Sequence, residues 1–151
     1  MLKYYNYDIV FQEIPDEVTL AVNLTNCPHR CVGCHSPHLR EDIGDVLNEK
    51  ALDSLLKRYG RQITCVCFMG GDGQATDVEH LAQHLHKCTK LKVAWYSGNS
   101  TLPRNAQLFD YVKVGGYKPE LGGLRARTTN QRLYHNVNGN PVDITARFWK
   151  K

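Results

Sequence analysis

The stretch Ile63-Thr64-Cys65-Val66-Cys67-Phe68-Met69-Gly70-Gly71-Asp72-Gly73 decides the fold class of this chain. Its first seven residues are almost continuously apolar, which is typical of a strand that is covered on both faces. Three glycines and an aspartate follow at once, and this composition predicts a turn. The stretch therefore indicates a parallel sheet with helices packed against it.

Helical patterns lie on both sides of this stretch. Upstream, Asn48 predicts an N-cap and Gly60 predicts the end of a helix. The apolar residues between them recur at helical spacing: Leu52, Leu55, Leu56 and Tyr59. Downstream, Thr76 and Glu79 match a capping box at the start of a second helix. Its predicted buried side consists of Val78, Leu81, Leu85 and Cys88.

The remaining segments complete an α/β pattern. Four more strands and one short helix are predicted: strands Asp8–Ile14, Val18–Leu24, Leu91–Tyr96 and Tyr111–Val114, and helix Pro103–Phe109. Pro15-Asp16 predicts the turn between the first two strands. After them, Leu133–Val137 and Val142–Ala146 flank Asn138-Gly139, which predicts a C-terminal hairpin, although Pro141 weakens its second strand. The alternation of strands and helices favours a parallel sheet within one domain, residues 1–151.

Composition narrows the class of protein. The chain has 151 residues, of which 42% are hydrophobic and 23% charged, and a net charge of +4 without a basic block. No nucleic-acid partner is therefore expected. The N-terminus lacks the apolar core of a signal peptide, and no apolar stretch approaches the ~20 residues of a membrane span. We therefore expect a cytoplasmic protein without a membrane partner, in which six cysteines serve metal binding or burial rather than disulfides.

Three of those cysteines follow the strand Val18–Leu24. Cys27, Cys31 and Cys34 are spaced C-x3-C-x2-C, so their thiolates can converge on one metal centre. A closed structural zinc site usually takes four protein ligands, and an iron–sulfur cluster normally takes four cysteines. Three ligands therefore predict a centre with one position open to another molecule.

Three unusual loops are expected at one edge of the sheet. The cysteine loop, Gly70–Gly73 and Ser97-Gly98 each follow a predicted strand, and ligands of parallel α/β folds bind at the carboxyl ends of strands. Glycines without a Cβ allow the backbone to approach a ligand closely. Their carbonyls suit an ammonium group, and Asp72 adds a negative charge.

With these motifs the chain resembles the radical S-adenosylmethionine (SAM) superfamily. Within it, the chain looks like the subfamily of activating proteins of anaerobic ribonucleoside-triphosphate reductases. The resemblance spans roughly residues 8–148 and rests on three stretches: Cys31-Val-Gly-Cys34, Met69-Gly70-Gly71-Asp72-Gly73, and the tail from Val114-Gly115-Gly116-Tyr117 through Leu121-Gly122-Gly123-Leu124 to Thr128-Thr129-Asn130-Gln131-Arg132-Leu133-Tyr134.

The resemblance implies a fold, a reaction and a set of site residues. The fold would be a single-domain, incomplete β/α barrel of the radical SAM type with a hairpin-like extension. Cys27, Cys31 and Cys34 would hold a [4Fe–4S] cluster, and Gly70, Gly71 and Asp72 would contact SAM. A 5′-deoxyadenosyl radical formed from SAM would then take a hydrogen atom from a glycine of the reductase large subunit. The expected electron donor is a reduced flavodoxin-like protein.

This chain departs from the family pattern around its third cysteine. Many members carry an aromatic residue before that cysteine, where this chain has Gly33, and the subfamily places an aromatic after it, where this chain has His35. His35 is expected either to stack on adenine or to be a polar loop residue. A later glycine-rich SAM contact of some members is not clearly present, and Ser97 with Gly98 is a candidate for part of that role.

Two other functions stay open. One is radical SAM chemistry on a different protein or a small molecule. The absence of a cysteine-rich insert, which activases of other glycyl radical enzymes commonly carry, favours the reductase. The other is a zinc-binding interaction module that uses Cys27, Cys31, Cys34 and His38 as a Cys3His site. That module leaves Gly70–Gly73 without a role.

The remaining cysteines and histidines have structural interpretations. Cys65 and Cys67 face the same side of a strand and are expected to be buried, like Cys88 on its helix. His80 and His84 have the i, i+4 spacing of a metal pair, but with His86 they are predicted to lie on a solvated helix face. For the tail segment Thr128–Tyr134, closure of the sheet and docking of a partner are equally supported.

Overall fold

A computed structural model describes residues 2–25 and 44–149. These residues form one eight-stranded sheet and two α-helices. The strands are β1 (Lys3–Val10), β2 (Thr19–Leu24), β3 (Asp45–Val46), β4 (Cys65–Met69), β5 (Lys92–Tyr96), β6 (Tyr111–Val114), β7 (Arg132–Val137) and β8 (Asn140–Asp143). The helices are α1 (Glu49–Tyr59) and α2 (Ala75–Cys88).

The centre of the sheet is parallel and its flanks are antiparallel. The strand order is β3-β1-β2-β4-β5-β6-β7-β8. Strands β2, β4, β5 and β6 run parallel to one another. Antiparallel pairs extend the sheet on both sides. The predicted α/β class with a parallel sheet is thus confirmed, and the four central strands end at the same edge.

Both helices pack on the same face of the sheet. Leu52 of α1 and Leu81 and Leu85 of α2 belong to one buried cluster. The central strands contribute alternate residues to it: Leu20, Val22, Val66, Phe68, Val93, Trp95 and Val112. Each of these large side chains is at most 3% exposed, so each contributes ~1.5–3 kcal/mol of transfer free energy.

On the opposite face, no α-helix of residues 2–25 and 44–149 contributes to the buried cluster. Cys65, Cys67 and Tyr111 form a second buried cluster with side chains from the irregular segments and the C-terminal strands: Ile14, Ala94, Leu133 and Ile144. Both predicted buried thiols are confirmed, since Cys65 and Cys67 are 0% exposed. The central strands are therefore covered on both sides, as their continuous apolar character predicts.

The predicted cap of α1 agrees with the structure, whereas that of α2 does not. The side chain of Asn48 accepts a hydrogen bond from the Ala51 amide at 2.9 Å, and α1 ends at Tyr59 before Gly60, as predicted. The predicted capping box of α2 is wrong. A 3-10 turn over Asp72–Gln74 leads directly into the helix, so Thr76 lies within its first turn. The carboxylate of Glu79 instead accepts a hydrogen bond from the Asn105 side chain.

Three other predictions need correction. Strand β1 begins at Lys3 and ends at Val10, because its first residues pair with β2 and β3 although they lack an apolar pattern. The segment 103–109 contains only a 3-10 turn at Ala106–Leu108, since seven residues are too few for a stable α-helix. Cys88 is exposed, because it is the final residue of α2 and burial along the helix stops at Leu85.

The C-terminal hairpin is confirmed, but its second strand is Asn140–Asp143 instead of Val142–Ala146, because the Asp143 side chain accepts the Thr145 amide and the chain turns into a 3-10 helix over Thr145–Trp149. Strand β7 pairs with β6 and then with β8, and the turn between β7 and β8 consists of Asn138 and Gly139, both with positive φ. Pro141 lies in β8, which is an edge strand and tolerates the missing amide. Among residues 2–25 and 44–149, no helix is long and apolar enough to cross a membrane.

Candidate functional site

Backbone hydrogen bonds align the loops at the carboxyl edge of the parallel strands. The Gly70 amide donates to the Tyr96 carbonyl at 2.9 Å, which links the loop after β4 to the end of β5. The Ser97 amide donates to the Lys113 carbonyl at 2.8 Å, which links the next loop to β6. The predicted meeting of Gly70–Gly73 with Ser97-Gly98 at one edge is therefore confirmed.

Thr25, the last described residue before the cysteine motif, lies at this same edge. Thr25 follows β2, and its amide donates to the Lys3 carbonyl at 3.0 Å. The described chain resumes at Gly44 before β3, which pairs with Lys3 and Tyr4 of β1. Six residues singled out from the sequence lie outside the described ranges: Cys27, Cys31, Gly33, Cys34, His35 and His38.

Asp72 joins the two described loops. One carboxylate oxygen accepts the Ser97 hydroxyl at 2.5 Å, and the other accepts the Gly98 amide at 2.8 Å. The side-chain nitrogen Nδ2 of Asn99 lies 3.5 Å from the first oxygen, at the limit of hydrogen bonding. Charge-assisted hydrogen bonds are stronger than neutral ones, so Asp72 holds the loops after β4 and β5 in a fixed relation. Sequence analysis predicted a negative charge here but not the hydrogen bonds of Asp72 with Ser97 and Gly98.

Gly70 and Gly71 are required for different reasons. Both have positive φ, +102° at Gly70 and +86° at Gly71. A Cβ on Gly71 would lie 2.7 Å from Leu24 Cδ1 and 2.8 Å from Val78 Cγ2, so core packing excludes a side chain there. A Cβ on Gly70 would have ordinary contacts only, at 3.6 Å or more. The Gly70 carbonyl accepts the Trp95 indole at 2.7 Å, which fixes its direction.

A buried lysine lies beside this pair of loops. Lys113 is 8% exposed, and its ammonium donates to the carbonyls of Ser97 at 3.0 Å and Gly115 at 3.1 Å. The same nitrogen lies 5.3 Å from the centre of the Tyr96 ring. Sequence analysis missed Lys113, although a charged residue inside an apolar strand followed by two glycines was an available signal.

A cavity of about 480 Å³ opens next to Lys113. The lining residues are Tyr96, Lys113, Tyr117, Gly123, Leu124, Arg125, Ala126 and Gln131. A larger cavity of about 760 Å³ includes Glu17, Thr64 and Lys92, which lie at the amino ends of the strands. The smaller cavity is the better candidate for a ligand site, because it borders the loops at the carboxyl ends.

Burial makes the neighbouring thiols and phenol poor acids. Burial raises the pKa of Cys67 well above its ordinary value, and it does the same for Cys65. It also raises the pKa of Tyr96, whose hydroxyl donates to the Glu13 carbonyl. Thiolates are the form that binds metals and attacks electrophiles, so Cys65 and Cys67 serve packing.

The helix histidines form a hydrogen-bonded cluster with α1. His80 contacts Glu49, while the two ring nitrogens of His84 lie 3.1 Å from Glu49 and 2.8 Å from Asp53. The predicted solvated face holds for His80, but only 14% of the His84 side chain is exposed. Within residues 2–25 and 44–149, no three metal-binding side chains are arranged to hold an ion.

The tail segment Thr128–Tyr134 extends the sheet beyond β6. Arg132, Leu133 and Tyr134 pair with β6. The preceding polar side chains donate to carbonyls of the 115–122 loop: Thr128 to Leu121, Thr129 to Gly122, Asn130 to Gly116 and Gln131 to Gly115. The strands of residues 2–25 and 44–149 form an open sheet with β3 and β8 at its edges, so the tail extends the sheet without closing it, and partner docking stays a prediction.

Comparison with known proteins finds no matching family model, no matching curated protein and no matching solved structure.

Proposed function

We propose that this protein is a radical SAM activase that generates a glycyl radical on an anaerobic ribonucleoside-triphosphate reductase. The observation that carries the proposal is the juxtaposition of Gly70–Gly73 and Ser97–Asn99 at the carboxyl edge. The chain enters the segment that contains Cys27, Cys31 and Cys34 from this same edge, after Thr25. A metal centre and a ligand held by these loops would therefore be neighbours.

The topology supports the finer prediction of an incomplete β/α barrel. The parallel strands follow one another in the order β2, β4, β5 and β6, and both helices pack on the same face. Barrels of parallel strands have their helices on the outer face only, whereas doubly wound sheets have helices on both faces. On this proposal, the face with Tyr96 and Lys113, on which neither α1 nor α2 packs, is the inner face.

The described residues have definite roles in the proposal. The Gly70 carbonyl has a second lone pair besides the one used by Trp95, so it can accept an ammonium proton of SAM. Asp72 holds Ser97 and Gly98 in position. Gly71 supports the loop through packing. Gly33 and His35 lie outside the described residues and complete the set proposed to contact SAM, with His35 stacking on adenine; the other members are Gly70, Gly71, Asp72 and Ser97.

The cofactors supply the radical chemistry. When bound, a [4Fe–4S] cluster held by the three cysteines would pass one electron to SAM, which would give methionine and a 5′-deoxyadenosyl radical; that radical would take a hydrogen atom from a reductase glycine and become 5′-deoxyadenosine. A reduced flavodoxin-like protein is the proposed electron donor. A cytoplasmic location belongs to the same proposal.

Anaerobic SAM cleavage tests this function. The full chain is reconstituted with iron and sulfide, reduced with dithionite and incubated with SAM, and 5′-deoxyadenosine is quantified. The matched control is Cys31→Ala, and Cys88→Ala reports whether loss of an unrelated thiol matters. Cleavage that requires Cys31 but not Cys88, followed by a glycyl radical signal on added reductase, is the expected result. Protein that binds one zinc and forms no cluster would refute the proposal in favour of the zinc module.

A further inference from the structure

Positive charge is concentrated in the C-terminal part of the chain. Residues 113–149 contain six Lys or Arg and two Asp or Glu, whereas residues 1–112 contain eleven and thirteen. The described chain therefore carries its excess positive charge on the segments that surround the end of β6 and on β7. Such an asymmetry favours association with an acidic partner on this side of the molecule.

Two arginines and a tryptophan form a patch on this side: Arg127, Arg132 and Trp149. The guanidinium carbons of Arg127 and Arg132 each lie 6.0 Å from the centre of the Trp149 ring. The Trp149 indole donates to the Leu124 carbonyl at 2.9 Å, which fixes the ring. Arg125 and Arg127 are exposed, and the Arg132 side chain is 41% exposed. The patch thus presents two guanidinium groups on an anchored aromatic ring, and the one of Arg132 lies 3.7 Å from the Asp143 carboxylate.

The arginine–tryptophan patch adjoins the candidate site. Arg125 and Leu124 line the same cavity as Lys113 and Tyr96. Arg132 pairs with Val114, the last residue of β6, at the carboxyl edge. A macromolecule bound to the patch would therefore lie beside the cavity.

We propose that the arginine–tryptophan patch docks an acidic surface of the reductase, next to the glycine that receives the radical; this inference rests on the proposed function. Arginine and tryptophan are the residue types enriched at the energetic centres of protein interfaces. The planar guanidinium fork binds carboxylates through two hydrogen bonds. A protein is favoured over a nucleic acid because Glu120 and Asp143 interrupt the positive charge, which therefore does not form the continuous track that a phosphate backbone requires.

A charge-matched pair of double variants tests the patch. The first is Arg127→Glu with Arg132→Gln, and the control is Lys57→Glu with Lys87→Gln on the exposed sides of the helices. Both remove three units of positive charge. Binding of the purified reductase large subunit is measured at low and high salt, with SAM cleavage and thermal unfolding as checks on each variant. Binding should weaken about tenfold in the patch variant and less than twofold in the control, while both cleave SAM normally.

The outcomes separate the two proposals. Equal binding by both variants would refute docking on the patch but would not bear on the activase function. If the wild-type protein cleaves SAM but binds no reductase, both the identity of the partner and its docking on the patch are refuted. Binding of duplex DNA or RNA through the patch, without binding of reductase, would overturn the assignment of an acidic protein partner. The inference holds if only the patch variant loses affinity and if high salt weakens wild-type binding toward the level of that variant.

Discussion

Replacement of Gly71 by alanine tests whether this glycine is required by packing. The residue has φ +86°, and a new Cβ would approach Leu24 Cδ1 at 2.7 Å and Val78 Cγ2 at 2.8 Å. Leu24 and Val78 are 1% and 0% exposed, so neither neighbour can move into solvent without cost. The left-handed conformation costs an alanine roughly 1–2 kcal/mol. Overpacking adds roughly 1–3 kcal/mol, so Gly71→Ala should destabilise the protein by about 2–5 kcal/mol.

Gly139→Ala is the matched control, because it separates the backbone term from the packing term. Gly139 has φ +85°, and no atom lies within 4 Å of a Cβ built there. Urea unfolding of the two variants, without cofactors, should place Gly139→Ala near about 1–2 kcal/mol and Gly71→Ala well above it. Equal losses in the two variants would refute the packing argument. Gly71 would then be explained by its backbone conformation and by the ligand alone.

Other predictions concern buried Glu17, the cysteine thiols and the hydrogen bonds of Asp72. Burial raises the pKa of Glu17, but hydrogen bonds from Lys92, Thr64 and Tyr111 outweigh this effect and lower the pKa below its ordinary value. Glu17→Gln should therefore cost about 1–3 kcal/mol at pH 7, as measured by urea unfolding. The difference from wild type should shrink as the pH falls below roughly 4, where the unfolded glutamate takes up its proton; a difference that does not depend on pH would contradict the role of the charge. In a variant with Cys27, Cys31 and Cys34 changed to serine, iodoacetamide should label Cys88 in the folded protein, and it should label Cys65 and Cys67 only after unfolding, as mass spectrometry would show; rapid labelling of Cys67 would contradict its burial. Asp72→Ala should speed hydrogen exchange of the Gly98 amide at least tenfold, since that amide loses its acceptor, while Asp72→Asn keeps an acceptor and should change exchange less.

Local sequence patterns were enough to predict the central strands and both α-helices. Continuous apolar residues from Ile63 to Met69 identify a strand covered on both faces, and the i, i+3, i+4 pattern after Asn48 identifies α1, because burial imposes these periods on the chain. The alternation of strands and helices was enough to predict parallel pairing. The positions of the cysteine motif and of Gly70–Gly73 directly after predicted strands indicated the carboxyl edge.

Tertiary structure decided what depends on partners distant in the chain. Strand β1 begins at Lys3 because β2 and β3 supply hydrogen-bond partners, and no local pattern announces that pairing. The contact of Asp72 with Ser97 spans 25 residues, and the placement of Lys113 against Ser97 and Gly115 follows from the register of β5 and β6. Cys88 has the phase of a buried position yet is exposed, because packing against α2 ends before its last residue. Periodicity reports which residues can be buried, whereas hydrogen-bond partners and the extent of a packed face are properties of the assembled sheet.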